Sequence, residues 1–429
     1  MSATAQHKTR TLWLLGALHT FTHIYNVALL PLYLLIQRDL HLAGVGQATS
    51  LVTVLMLSYF VPSYWMGILA DKFSRKKLLA FGLALNGAAF VALAFAPNYA
   101  WAVAACAAAG LGGSFYHPPA TAMIARLFPE NTGRAFGLVG IGAGLGFCIG
   151  PLFSGWRAGM LEAAHGAAAW REPVLELGIL GVAMAALFAW LADEEKVLPT
   201  CSRQASATVA PELPTASRQR VEKLFPTKTL YAFFFAAAFA FGLRDFAGAA
   251  MGSLGSLFLQ KARGFSTADA GIALACLNLV SAIGNPLFGR FSDGGRKRWL
   301  AALLVLSALL VAVFPHAPVR ATIPLLAAYG FFFMPTFPVV EALLMQSVPD
   351  AVRGRIYGMF ITVGGLVGQL AHWLAGEAVK RMGDGAQHTE NYFPLYATLA
   401  ALLLLTTLGL PCLNAIAKRE QSAIGNPKS

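Results

Sequence analysis

The sequence predicts an all-α integral membrane protein, with twelve transmembrane helices in two pseudo-symmetric six-helix bundles. Three observations predict it. The 429 residues are 57% hydrophobic and only 12% charged, a composition that cannot clothe a globule in a polar shell. The apolar residues gather into twelve runs near the ~20 residues that a hydrocarbon core of about 30 Å requires. The last six runs then repeat landmarks of the first six.

In chain order, Lys8 and Arg10 precede a run near 11–37. That run is too long for the apolar core of a secretory signal and lacks a clear cleavage site, so it is expected to remain as the first span. Further spans fall near 46–70, 77–96, 99–126, 133–156 and 173–192. The stretch from about Asp193 to Lys228 is rich in Pro, Ser, Thr, Glu and Arg and reads as a cytoplasmic linker. The second set lies near 229–259, 267–291, 298–315, 321–346, 355–378 and 392–416. The expected organisation is therefore an N-terminal bundle over 1–192, a linker over 193–228 and a C-terminal bundle over 229–429. Between spans five and six, Arg157–Arg171 carries Met160, Leu161, Ala164 and Ala168 at helical spacing. It reads either as a short amphipathic helix on the membrane surface or as a solvated loop.

Charge sets the orientation. With the N-terminus inside, twenty-three of the 32 Lys and Arg residues fall in cytoplasmic segments or at the adjoining span edges, eight in outer loops and one, Arg244, deep within a span. Cytoplasmic loops are the basic ones, so both termini are expected in the cytoplasm of a multi-pass protein of the inner or plasma membrane. The net charge of +12 belongs to these loops and forms no single basic face with interleaved aromatics, which argues against nucleic acid. Five cysteines are scattered, four of them inside apolar runs (Cys106, Cys148, Cys276, Cys412), with no CxxC and no metal-like Cys/His spacing. Neither a disulfide nor a structural metal is expected.

The duplication shows at three nearly equal offsets. The segment from Gly67 through Asp71 and Arg75 to Lys77 recurs from Gly289 through Asp293 and Arg296 to Arg298, its Gly and Asp 222 residues on and its basic residues 221 on. At 220, Gly110, Pro118 and Pro129 fall on Gly330, Pro338 and Pro349; at 221, Gly137 and Gly155 fall on Gly358 and Gly376. A parallel repeat of six spans implies a pseudo-two-fold axis along the membrane normal, a substrate site near the midplane between halves, and access that alternates as the bundles rock. Physically, Gly67 permits close helix approach, Asp71 can accept from a helix N-terminus or Arg, and Arg75 to Lys77 anchor the loop at an anionic lipid surface.

These two segments resemble the loop signature of the major facilitator superfamily, and the resemblance covers essentially the whole chain. It implies a gating role for Gly67, Asp71, Arg75, Gly289, Asp293 and Arg296, in which the loops lock one access state and release another. In the fifth span, Gly142, Gly146 and Gly150 recur every four residues and precede Pro151, Ser154 and Gly155. Small residues at that spacing make a flat face for helix packing, and the proline is expected to bend it. The string from Gly146 through Gly150-Pro151 to Gly155 also resembles the motif of proton-driven exporters in that superfamily. The second half has Ala371-His372 at that place. The string from Gly112 to Pro118 in span four, with the histidines of the first span, resembles the fosmidomycin-resistance branch.

Ionisable groups inside a span cost a few kcal/mol on insertion scales and are functional candidates by default. Arg244 and Asp245 lie in span seven and Glu341 in span ten, beyond Pro335 and Pro338. Arg244 stays charged at any physiological pH and needs an anion before it. Adjacent helix residues do not face each other, so Glu341 is expected as its partner rather than Asp245. Release of Arg244 by a proton on Glu341 would let an anionic substrate bind, which couples the two; a static ion pair is the alternative. Glu341 is preferred over Asp245 as the proton carrier, because a carboxylate beside a helix break can change its access to water. His19 and His23 share one face of span one. Together with Asn26, Tyr116 and His117 they are expected to line the substrate cavity, or else to pack and satisfy freed carbonyls. Two histidines make half a zinc site, and no metal is assigned to them. Asn278, Asn285, Gln346 and His372 are further neutral polar candidates.

The expected function is secondary active transport: proton-coupled export of a small organic, anionic compound by a monomer, without cofactor. No G-x-x-x-x-G-K-[ST] motif appears, so a gradient supplies the energy. Import of an organic anion and carriage of a lysolipid or other amphiphile are the alternatives. A membrane transferase using His117 or His23 is the alternative from another class, and no triad or metal cluster supports it.

Overall fold

The computed structural model describes residues 3–128, 132–193, 225, 227–292, 294–348 and 353–425. The expected linker lies outside the described residues except for its edges. Eighteen α-helices build the twelve spans among these residues. In the first half they are α1 (Ala3–Val27) with α2 (Tyr33–Asp39), α3 (Val45–Phe60) with α4 (Ser63–Lys72), α5 (Arg75–Ala94), α6 (Tyr99–Ser114) with α7 (His117–Leu127), α8 (Thr132–His165) and α9 (Arg171–Leu191). In the second half they are α10 (Lys228–Lys261), α11 (Thr267–Leu279) with α12 (Ser281–Ser292), α13 (Arg296–Val313), α14 (Thr322–Phe333) with α15 (Thr336–Gln346), α16 (Arg353–Met382), and α17 (Phe393–Leu405) with α18 (Gly409–Gly425).

Several boundaries differ from expectation for local reasons. The segment Arg157–Arg171 is neither a surface helix nor a loop. The fifth span continues as helix to His165, and a 3-10 turn over Gly166–Trp170 leads straight into α9. Spans four and ten break at paired prolines. Pro118 follows the turn at Phe115 and Tyr116, and α15 starts after Pro335, because proline offers no N–H to continue the preceding ladder. The fifth span instead runs through Pro151 as helix. Asp193, expected in the linker, belongs to the first bundle. It accepts from Thr11 Oγ1 at 3.2 Å and Arg10 Nη2 at 3.3 Å, tying the end of span six to the start of span one.

Within each half, glycine rows bring helices to backbone contact. The glycines 142, 146 and 150 of α8 lie against the carbonyls of Gly16, Thr20 and Ile24 on α1, each row repeating every four residues. A Cβ at Gly150 would stand 2.7 Å from Val27 Cγ2. The second half copies more of this than the sequence suggests. Gly364 and Gly368 of α16 lie against Asp245 of α10, with a Cβ at Gly368 only 2.8 Å from Asp245 Cβ.

The two halves meet backbone to backbone at one end. At the end far from the termini, a Cβ at Gly155 would stand 2.9 Å from Gly271 Cα, and one at Gly376 2.8 Å from Gly46 Cα. Nearer the termini, side chains rather than backbone meet the next glycines. A Cβ at Gly144 would stand 3.8 Å from Ser281 Oγ and one at Gly365 2.7 Å from the Phe60 ring, both across the halves. Seven residues is close to two helical turns, so Gly137 and Gly358 point the same way one step nearer the termini. Nothing lies within 4 Å of either. The bundle is closed at the far end and splayed at the terminal end.

Candidate functional site

The turn that ends α6 sets the first part of the site. Phe115 N–H bonds Gly112 O at 3.3 Å and Tyr116 N–H bonds Gly113 O at 3.1 Å. The following prolines restart the helix and leave His117 exposed at its first position. Across from it, α1 carries His19 and His23 one turn apart. The imidazoles of His19 and His117 meet edge-on at 5.2 Å, and His23 lies 5.8 Å from His117 between ring centres. Tyr116 stacks on His19 at 4.7 Å while its hydroxyl donates to Leu15 O at 2.9 Å.

One fixed carbonyl orders the protons of this cluster. Val139 O can only accept, so His19 Nδ1, 2.9 Å away, carries the proton. In the neutral ring His19 Nε2 is then an acceptor, and His23 Nε2–H donates to it at 3.1 Å. His23 Nδ1 is left as an acceptor facing Asn26 Nδ2 at 3.5 Å. His19, His23, Asn26, Tyr116 and His117, singled out from sequence, are thus brought together. Arg244 is not among them. A cavity of about 70 Å³ lined by His19, Tyr116, His117, Phe136, Val139 and Gly140 opens beside the cluster.

Arg244 corrects the expected pairing. Its Nε and Nη2 donate to Asp245 Oδ1 at 2.9 and 2.7 Å, and Nη1 donates to Thr336 O at 3.1 Å. The guanidinium also lies 4.0 Å from the centre of Phe337. Neighbouring residues point about 100° apart on a helix, but the long Arg stem curls through that angle while Asp245 is pinned between the glycines of α16. Arg244 is 3% exposed, and its donors are held within the second bundle. Glu341, the expected partner, is instead an exposed carboxylate accepting from Tyr357 at 2.7 Å. The offset that lays Pro118 on Pro338 also lays His117 on Phe337. The histidine cluster and the Arg–Asp pair therefore sit at corresponding places in the two halves.

Sequence reasoning missed the polar contacts that close the far end. Tyr33 O–H donates to Ser253 Oγ at 2.8 Å, Ser253 O–H to His372 Nδ1 at 2.6 Å, and His372 Nε2–H to Gln369 Oε1 at 3.1 Å. Each role follows from the last acceptor, the amide oxygen. Thr53 does something less common. Its Oγ1 donates to Gln369 O at 3.1 Å and accepts from Trp373 N–H at 3.0 Å, the two groups that bond each other in an uninterrupted helix. Thr53 thus bonds one i, i+4 pair of backbone groups in α16, a helix of the other half.

Of the paired loop segments, the Asp71 side chain and all of Asp293 lie outside the described residues. Arg75 Nε donates to Ala70 O at 3.3 Å, near the end of α4. Close approach is not required at either leading glycine in this conformation. A Cβ at Gly67 would make an ordinary 3.9 Å contact with Pro118, and Gly289 has open space.

The sequence profile described as Major Facilitator Superfamily matches residues 12–372. The multidrug resistance protein MdtH of Shigella dysenteriae serotype 1 is 33% identical over 92 residues, 21% of this chain and 22% of that protein. Its namesake from Yersinia enterocolitica is 36% identical over 93 residues, 21% and 23% of the two chains. This chain thus spans less than a quarter of the length of the curated relatives it matches. Among solved structures, a bacterial homolog to the human lysosomal transporter Spinster, inward-facing and unoccupied, superposes with a TM-score of 0.71 at 16% identity over 96% of both chains. The nucleoside transporter NupG gives 0.68 at 15% identity, over 95% of this chain and 99% of that one. At such identities the likeness is one of fold.

Proposed function

The chain belongs to the Major Facilitator Superfamily; it is therefore a transporter and not an enzyme, and we propose that it exports a small organic compound in exchange for protons by alternating access. The observation that carries the proton coupling is the contrast between two carboxylates. Asp245 is bound to Arg244 and pinned by glycines, whereas Glu341 is exposed and held by the Tyr357 hydroxyl. A carboxylate at membrane depth that meets water rather than a fixed cation can load and release a proton as access changes.

Alternating access is supported by the glycine pairs, tight at Gly155 and Gly376 and open at Gly137 and Gly358. The excess of basic residues in loops on the terminal side supports a cytoplasmic location for the splayed end. Export is supported by the local similarity to proteins named for multidrug resistance. An anionic substrate would have to displace Asp245 from Arg244, so the cargo in this reading meets the histidine cluster and Glu341 first.

The test is proton movement in energised everted vesicles, followed with a pH-sensitive dye while organic anions, cations and neutral amphiphiles are added singly. The expected result is collapse of the pH gradient by at least one compound in vesicles with the wild-type chain, and no response with Glu341→Gln. Labelled compound that equilibrates without moving protons would overturn the coupling. Accumulation against the opposite direction would make the chain an importer.

A further inference from the structure

We propose that His19, His23 and His117 form a binding site for a first-row transition-metal ion of zinc-like chemistry at the splayed mouth of the first bundle. The inference goes beyond the exporter reading and does not depend on its direction or coupling. The fold supplies the third ligand that the pair on α1 lacked, by placing His117 at the break of span four. One ring nitrogen from each histidine lies within 4.8 Å of the other two.

The closest pair is already near bonding geometry. Two nitrogens held by one tetrahedral zinc at about 2.0–2.1 Å stand roughly 3.3 Å apart, and His19 Nε2 and His23 Nε2 are 3.1 Å apart. The outer partners fit as well. The Nδ1–H of His19 on Val139 O turns its Nε2 lone pair toward the cluster, as a ligating imidazole needs. His23 must move its proton from Nε2 to Nδ1 when Nε2 takes the metal. Asn26 accommodates this by presenting Oδ1 in place of Nδ2, so the exchange releases no net proton.

His117 is the exposed member, and its imidazole makes no hydrogen bond to another described residue. Its ring nitrogen must close the remaining gap, within 4.8 Å of the other two, for the triad to hold one ion. Three imidazoles leave a fourth position open, and all three are neutral when they ligate, so the ion keeps its charge for an anionic donor arriving from the cavity. Beside His117, at 6.1 Å between ring centres, stands Tyr59. Its hydroxyl is buried and has no partner among the described residues, and is available to that fourth ligand.

The experiment uses the full chain in detergent, purified through a tag free of histidine, with Zn2+ and Co2+ as probes. The expected result is one Zn2+ per chain in competition with a chromogenic chelator, and for Co2+ the strong visible bands of a four-coordinate ion. His117→Ala is expected to weaken Zn2+ at least tenfold, since even outer partners of ligands are worth about 10–100-fold, while His388→Ala leaves it unchanged. Absence of bound Zn2+ in the wild type, a weak six-coordinate Co2+ spectrum, or equal weakening by His388→Ala would each overturn the site. The wild-type spectrum needs no variant to fold. Neither readout uses a gradient or a transported compound, so its failure and that of the exporter reading are separately visible.

Discussion

Arg244 and Asp245 are consecutive in the chain and bound side chain to side chain, with two guanidinium nitrogens on a single carboxylate oxygen. The pair is a closed unit within one helix, completed by Thr336 O and the face of Phe337. Removing one member leaves the other charge without its counter-ion in a low-dielectric setting, which costs about 3–5 kcal/mol. Asp245→Asn is therefore expected to lower the thermal unfolding midpoint in detergent strongly. Arg244→Gln combined with Asp245→Asn should recover most of that loss. A double variant as unstable as the single one would mean that Arg244 is neutralised elsewhere.

Access can be read by thiol labelling in a background without the native cysteines. Gly137→Cys and Gly358→Cys face open space between the halves at the terminal end, whereas Ser256→Cys and Thr267→Cys replace buried hydroxyls that bond Leu30 O and Glu162 of the other half at the far end. An impermeant reagent added to everted vesicles is expected to label the first two at least ten times faster than the last two. Equal rates at all four positions would contradict the splayed arrangement.

Tyr33→Phe removes the first donor of the chain through Ser253 and His372 to Gln369. A hydrogen bond of this kind contributes about 1 kcal/mol net, which corresponds to roughly a fivefold shift in a two-state balance. Labelling of Ser256→Cys from the far side should rise by about that factor in the Tyr33→Phe background. No rise would show that this polar chain has no part in far-end closure.

Along span five the two glycine faces should separate in stability. A side chain at Gly146 meets the Thr20 carbonyl, which cannot move without moving α1, while Gly137 has free space. Gly146→Val is expected to destabilise by at least the ~1–3 kcal/mol of ordinary overpacking, and Gly137→Val by less than about 0.5 kcal/mol. Unfolding midpoints of the two purified variants decide it.

The spans and their duplication were readable because length and apolar composition alone determine what crosses a bilayer, and because Gly, Pro and Asp recur at offsets of 220 to 222 residues. Breaks at Pro118 and Pro335 were readable for the same local reason. The pairing of Arg244 was not, since the rule that adjacent helical residues diverge describes Cβ directions and ignores how far a guanidinium reaches. Arg157–Arg171 was misjudged because the spacing of a surface helix is also that of a transmembrane helix running on. His19 and His23 were visible as a face, but their meeting with His117 depends on how span four docks on span one. Nothing in the residue string marks Thr53, whose partners are backbone groups of a helix in the other half.

Thr53 bears on how the far end can let go. Polar groups separated inside a membrane are ordinarily stranded, at a penalty of several kcal/mol each. Withdrawal of the Thr53 hydroxyl strands nothing on α16, because Gln369 O and Trp373 N–H are the natural i and i+4 partners of one another in the helix. The hydroxyl in turn can bond back to a carbonyl of its own helix, as Thr22 does with Leu18 O at 2.9 Å. The joint between the halves at this point behaves like a zip with a removable tooth: each side is chemically complete whether joined or parted, so repeated separation leaves no hydrogen-bonding debt on either helix.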